Sequence, residues 1–545
     1  GGVAAEEVDR VRSAMLKERE LLAADSSQLA IQLSEWAAQG DWRLYFLHRD
    51  RLEMVTAEQV SAAAKKYLKA DNRTVGIFEP TQTPDRTTVP QLTNLKESLQ
   101  GYRGREDVAA GERFDTSPAN IDDRTERLEL RSGVKGALLA KKTRGNSVSL
   151  RLVLRYGTAE SLKGMRLAAD LLPEMLTRGT KSLSRQQIED ELDRLRAELS
   201  VTGKPGEVVI TIQARNQSLP EVLNLLRQML REPSLPADEF DLLKQSKLAQ
   251  LEEGSKDPQM LAMNAVRRHL APYAKGDPRY VPTLPEEIES LKSISVESVS
   301  KLYENFLGGT RGELTVVGDF DRQEVLPRVE SLLDGWKSNE KFERIAKSVP
   351  KGLAGGVERI LTPDKENAIY IASQLLPLGD SDPDYAALEL GNFVLGGGGL
   401  SSRLADRVRQ KEGLSYGVAS ALQPSAVDPY SVFFIFAISN PGNTPKVQAA
   451  IGEEIAKLLA DGVAEEELEA AKRGWLQEQQ LARSADLALA EELGVNLVAN
   501  RTMRHQAELE AKVEALTADD VKATLKKRID LKKLYIAIAG DFEKK

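Results

Sequence analysis

Apolar positions along this chain switch between helical and strand spacing, and the switching repeats. Near the C-terminus, Leu516-Thr517-Ala518-Asp519-Asp520-Val521 leads into a helical pattern and then the apolar run Tyr535-Ile536-Ala537-Ile538-Ala539-Gly540-Asp541-Phe542. The same order stands 222 positions upstream, as Ile294-Ser295-Val296-Glu297-Ser298-Val299, a helix, and Leu314-Thr315-Val316-Val317-Gly318-Asp319-Phe320. A third copy runs from Val55-Thr56-Ala57-Glu58-Gln59-Val60 through a helix to Thr74-Val75-Gly76-Ile77-Phe78. A hydroxyl residue (Thr517, Ser295, Thr56) precedes each helix, where its oxygen can accept from a free N–H of the first turn. Thr56 and Gln59 also have capping-box spacing. The short apolar runs that follow predict buried strands.

The segments ahead of these repeat as well. Residues 136–141 and Ser147–Arg155 predict two strands, followed by a helix over 165–176. Residues 358–362 and Ala368–Leu376 predict two more, followed by a helix over 385–394. Further helices are predicted over 185–199 and 401–411, and further strands over 208–214 and Ser431–Ser439. The repeating unit is an α+β domain of about 200 residues, a largely antiparallel sheet covered by helices. The first copy has only its back half. Its Gly2-Val3-Ala4-Ala5-Glu6-Glu7 matches Gly462-Val463-Ala464-Glu465-Glu466-Glu467 inside the last copy, so the chain is expected to start mid-domain. Residues 1–82 then need a front half from another polypeptide or a cleaved-off segment. From about 80 to 122, Pro80, Pro84, Pro90, Gly101, Gly104, Gly111 and Pro118 break any period. A stretch this long exceeds an ordinary loop and reads as a connection between two halves of a larger molecule.

Composition narrows the chemistry. Of 545 residues 41% are hydrophobic but only 5% aromatic, so the cores are Leu, Ala, Val and Ile. Basic residues number 75 against 83 acidic, for a net charge of −8, which leaves no basic footprint for nucleic acid or an anionic membrane surface. No run approaches the ~20 apolar residues that span a bilayer. The absence of cysteine excludes disulfides, thiolate metal sites and cysteine nucleophiles. The three histidines, His48, His269 and His505, lie far apart and form no helical metal pair, so no metal site is expected within this chain.

One segment carries candidate chemistry: Gly396-Gly397-Gly398-Gly399-Leu400-Ser401-Ser402-Arg403-Leu404, then Val408-Arg409-Gln410-Lys411-Glu412-Gly413-Leu414-Ser415-Tyr416-Gly417-Val418. No Gly-Lys-Ser/Thr follows the glycines and no G-x-G-x-x-G phasing fits, so a phosphate loop is disfavoured. A flexible link between two helices is the plain alternative. Arg409 stands near a helix end and Tyr416 at a strand start, with Gly413 between them. An arginine fork suits peptide carbonyls or carboxylates, and a tyrosine hydroxyl can donate to a developing oxyanion. Alone, the pair reads more simply as a helix-end arginine beside a half-buried sheet tyrosine.

The run from Gly396 to Tyr416 closely resembles the C-terminal half of the pitrilysin/insulinase-type zinc metallopeptidases, the inverzincins. The resemblance extends along the whole chain. It implies domains of the LuxS/processing-peptidase type, four per molecule, forming two halves that close as a clamshell on a peptide. Residues 1–82 would be the back half of the second domain, 83–122 the linker, 123–335 the third domain and 336–545 the fourth. By resemblance Arg409 and Tyr416 are the substrate-binding and transition-state-stabilising pair, and Gly397, Gly398 and Gly399 a substrate-contacting loop. The family's zinc motif, H-x-x-E-H, precedes a Met-Leu-x-x-Gly-Thr stretch. Here Met175-Leu176-Thr177-Arg178-Gly179-Thr180 is present, but the motif positions hold Asp170-Leu171-Leu172-Pro173-Glu174. The third domain is therefore expected to be a degenerate copy. The resemblance implies a zinc endopeptidase whose zinc sits on a missing N-terminal domain or partner subunit carrying H-x-x-E-H, with this chain inactive alone. The alternative is a non-catalytic scaffold or presequence-binding subunit. The implied compartment is the bacterial periplasm, with cytoplasm or an organelle matrix as other settings.

Overall fold

Strands form where apolar residues alternate or run together, and they assemble into two sheets. The computed structural model of the chain describes residues 2–73, 76, 99–103 and 111–543. The strand expected at 74–78, apart from Gly76, and most of the expected linker lie outside the described residues.

The first sheet contains β1 (Thr125–Glu129), β2 (Lys135–Ala140), β3 (Ser147–Arg155), β4 (Glu198–Lys204), β5 (Glu207–Arg215) and β6 (Gly312–Gly318), in the order β1-β2-β6-β3-β5-β4. The second contains β7 (Gly356–Leu361), β8 (Ala368–Leu376), β9 (Ser415–Pro424), β10 (Ser431–Ser439) and β11 (Tyr535–Gly540), in the order β7-β11-β8-β10-β9. Among the described residues only β2–β6 and β7–β11 pair in parallel. The architecture is thus α+β, two related lobes of largely antiparallel sheet covered by helices. The short runs that close each repeat, β6 and β11, are interior strands. That position explains their apolar character, because both faces are covered.

Local chemistry sets several boundaries. Thr56 and Thr517 cap their helices, accepting from the Gln59 and Asp520 N–H groups. Ser295 precedes its helix in the same extended conformation but makes no cap bond. Its hydroxyl serves the Glu297 carboxylate instead, which is held below its ordinary range. The helix expected over 185–199 stops at Arg194. Arg196 adopts a left-handed φ of 53°, which ends the helix, and β4 begins two residues later.

Each sheet buries one face under helices of its own lobe. In the first lobe Leu150, Leu152, Ile210, Val316 and Leu172 meet there, and in the second Tyr370, Phe433, Ile435, Leu390 and Trp475. The opposite faces are covered by exchange. Helix Pro258–Leu270, which follows the first lobe's sheet helices, lies on the second sheet through Ala262, Ala265 and Val266 against Ile369, Ile371 and Ala537. Helix Asp486–Val498 of the second lobe lies on the first sheet through Leu489, Ala490 and Leu493 against Ala137, Leu139 and Val317. A buried pair, Lys141–Asp486 at 2.5 Å, pins the start of that second helix to the first lobe. The four N-terminal helices, Ala5–Ala24, Ser26–Ala38, Leu44–Leu52 and Ala57–Tyr67, gather around buried Tyr45 and bind the first lobe through Lys17–Asp193 at 2.5 Å.

Candidate functional site

Tyr416 lies at the start of β9, the edge strand of the second sheet. Gly417 pairs with Ile438 and Ser415 with Ser439, so Tyr416 is the extra residue of a β-bulge. A bulge re-aims its side chain out of the regular alternation, and Tyr416 is 84% exposed rather than half-buried. Buried Ser415 holds the bulge closed, its hydroxyl bonding the carbonyls of Ile438 at 2.6 Å and Gly417 at 2.8 Å. On the other side of Gly413, whose φ of 59° turns the chain, the wide-turn helix Ala405–Lys411 carries Arg409. The Arg409 guanidinium sits 5.0 Å over the Tyr416 ring, a cation–π geometry that keeps the two side chains together. Arg407, two residues earlier, is committed to Glu412, Glu453 and Glu454. Arg409 takes part in no ion pair among the described residues, so its fork is available.

The glycine run is helical rather than a free link. Phe393–Gly397 forms a wide turn, closed by a bond from the Gly398 N–H to the Phe393 carbonyl at 2.7 Å. Gly396 is buried against β9, where a Cβ would stand 2.5 Å from the Ser420 nitrogen. Gly397 and Gly399 are exposed and Gly398 half-buried, next to the Arg409 helix. Gln410 donates to the Leu400 carbonyl at 2.8 Å, tying that helix to the end of the run. Arg409, Tyr416 and Gly397–Gly399 thus belong to one connected surface element of the second lobe.

The helix Arg166–Met175 carries Asp170, Pro173 and Glu174. Asp170 is paired with Arg166 at 2.6 Å, and Glu174 with Lys247 at 2.5 Å. Arg166 also reaches Glu287. Burial pushes the Asp170 carboxyl up to about 6, with Arg166 opposing the rise. Pro173 is buried within the helix, and its ring would collide with any Cβ on Gly203 of β4. The three histidines stay apart and engaged. His269 stacks on Tyr535 at 3.8 Å, His48 contacts Arg19 at 3.1 Å, and His505 lies 3.9 Å from Asp380.

With this geometry in place, comparison with known proteins is direct. Residues 137–277 match the family described as insulinase (peptidase family M16), and residues 293–474 match the peptidase M16 inactive domain. The chain belongs to the M16 peptidase family. It is 22% identical over 403 residues to the non-peptidase homolog YmxG of Helicobacter pylori, covering 72% of this chain and 89% of that protein. The crystal structure of a peptidase M16 inactive domain from Pseudomonas fluorescens superposes with a TM-score of 0.65 at 22% identity, over 76% of this chain and 98% of that one. The periplasmic protease PqqL of Escherichia coli superposes with a TM-score of 0.61 at 14% identity, over 98% of this chain and 61% of that one. At these identities the structural likeness shows the M16 fold. The relatives include a protein described as a protease and others described as non-peptidase or inactive.

Zinc fits poorly at the first lobe's motif position in this M16 chain. Each carboxylate there already faces a cationic side chain, and proline stands where the M16 general base belongs by resemblance. Among the described residues no three His, Asp or Glu side chains group as a metal site requires. No helix among them is long and apolar enough to cross a membrane. Two residues that shape these sites escaped sequence reasoning. Ser415 could have been noticed as a hydroxyl between a turn glycine and the tyrosine it positions. Lys247 carried no signal, because its partner lies 73 positions away.

Proposed function

We propose that this chain is the zinc-free, peptide-binding part of an M16 assembly, able to hold an extended peptide but not to cut one unaided. The observation that carries the reading is Arg409, unpaired and stacked over an exposed Tyr416, at the bulged end of an edge strand. An edge strand offers free backbone N–H and C=O groups to which an extended peptide can add. Arg409 would fix a peptide carbonyl or carboxylate at one end of that strand, beside Gly397–Gly399. A fluorescein-labelled, unstructured peptide should bind the chain in an anisotropy titration and be recovered intact by mass spectrometry. Arg409→Ala should weaken binding about tenfold, the loss of one charge-assisted hydrogen bond. Cleavage by the chain alone, or wild-type affinity in the variant, overturns the reading.

The Tyr416 hydroxyl has no hydrogen-bond partner among the described residues, and this favours a second role. Tyr416 would face a zinc centre on another polypeptide that carries H-x-x-E-H. There its hydroxyl would donate to the oxyanion of the scissile carbonyl. In the assembly reconstituted with such a partner, Tyr416→Phe should lower kcat and kcat/KM together, on the order of 100- to 1000-fold, with KM little changed. Full turnover in the variant assigns Tyr416 to binding alone.

A further inference from the structure

Between the two lobes lies a cavity of about 740 Å³, within the size range of sites that hold a small molecule or a short peptide. Part of β3 forms one side. The helix Pro258–Leu270, the end of helix Asp486–Val498 and the turn between β9 and β10 form the others. Its charge runs against that of the molecule. In a chain of net charge −8, eight arginines and lysines line the cavity against four carboxylates.

The pairings show which cations are spare. Glu207 is held by Arg155 at 3.1 Å and by Lys204 at 2.8 Å. Arg166 takes both Asp170 and Glu287, and Arg344 takes Asp428 at 2.6 Å. Arg279 is satisfied by Asp277 at 2.9 Å, outside the lining. Arg151, Arg267 and Lys347 remain, with no ion pair among the described residues. Arg151 rises from β3 beneath Gly494 of the exchanged helix, and Arg267 extends from the other exchanged helix. The Lys347 ammonium lies 5.6 Å over the Tyr430 ring, with the residue itself exposed at the cavity mouth. Arg267 and Lys347 are exposed and Arg151 half-buried, so the three present unpaired positive charge to one space, where an anion would meet several donors at once.

The remaining wall is apolar. Met260, Met263, Ile345, Val427 and Val495 face the same space, and Met263 and Val427 are more than a third exposed. A small inorganic anion would leave that surface wet. A peptide carrying carboxylates between apolar side chains satisfies both kinds of wall, and methionine adapts to irregular apolar partners.

We propose that the interlobe cavity binds a short acidic peptide, its carboxylates met by Arg151, Arg267 and Lys347 and its apolar side chains by Met263, Val427 and Val495. The site is separate from Arg409 and Tyr416, and its test stands whether or not their reading holds. The probe is a fluorescein-labelled peptide alternating Glu with Leu and Val, titrated against the full chain in low salt, with a Lys-for-Glu peptide as counterpart. The acidic peptide binds and the basic one does not. Arg267→Ala, on the exposed side of its helix, and Lys347→Met each weaken binding about tenfold. Val427→Asp, at the exposed rim, weakens it by repulsion, whereas Arg504→Ala outside the cavity leaves it unchanged. Thermal melting of each variant confirms that it is folded. Wild-type affinity in both Arg267→Ala and Lys347→Met overturns the site. Competition by inorganic phosphate as strong as by unlabelled peptide overturns the peptide as its ligand.

Discussion

Glu389 shows how much a single buried group can impose. Its carboxylate lies beside Trp475, whose indole N–H donates to Oε1 at 3.4 Å, while Oε2 finds no partner. Burial pushes its pKa up to about 7, from an ordinary 4.5. Below pH 4.5 the folded and unfolded chains both hold the proton, and the group is neutral to stability. Between 4.5 and 7 only the folded chain keeps it, so stability falls as pH rises. By pH 8 the cost is nearly complete, about 3 kcal/mol, of which about 2.5 kcal/mol is lost between pH 5 and pH 8. Glu389→Gln is neutral throughout and keeps the acceptor for Trp475. Urea denaturation at pH 5 and pH 8 should show the wild type losing about that much more stability than the variant. Parallel slopes would return Glu389 to the ordinary acids. At this scale the sequence was partly legible. Arg409 and Tyr416 stand in an order that names them, and the structure puts the two together. Ser415 and Lys247 act through partners that only the fold supplies, and Glu389 looks like any helix glutamate until its surroundings are known.

Among the elements, the glycine-rich turn is the one whose sequence invited the wrong mechanical picture. Four glycines in a row suggest slack, yet Gly396 is there because β9 passes too close for a side chain. Gly396→Ala places a Cβ against the Ser420 backbone and should cost about 1–3 kcal/mol, as overpacking generally does. Gly417→Ala, with open space around it, is the control and should be near neutral. Equal stability of the two variants in denaturant would mean that the turn is as loose as it looks. Helices and interior strands were legible because each occurs twice with the same spacing. The edges were not. β4 was missed: its first two residues fell in the helix predicted over 185–199, whose pattern holds until Arg196 turns left-handed, and the rest fell in no predicted element. β1 is short and mostly exposed and shows no apolar run at all.

For the molecule as a whole, the exchanged helices decide how it comes apart. Leu493 is 1% exposed, and it is buried on a sheet whose strands lie far upstream in the chain. Leu493→Ala should cost about 2–5 kcal/mol and lower the melting of both lobes together. Calorimetry should therefore show one transition for the two sheets, shifted as a unit in the variant. Two separable transitions, with only the second moved, would mean that the lobes are joined by chain alone. Periodicity revealed two copies of one unit, but it gave no sign that each copy lends a helix to the other. That arrangement depends on which face of a helix meets which sheet, and the apolar pattern is the same for either sheet.

The exchange also bears on why a lobe with no fit for zinc is present at all. At the motif positions Asp170 and Glu174 are held by Arg166 and Lys247 and a proline stands between them, so the family's zinc chemistry has no fit there. Yet Pro258–Leu270 is the roof over the second sheet, and the first sheet is the floor under Asp486–Val498. Deleting the first lobe would strip the apolar underside of β8 and β11, in the sheet whose edge strand carries Tyr416. A partner in such an arrangement can fall silent chemically and still be indispensable, because what it contributes is shelter.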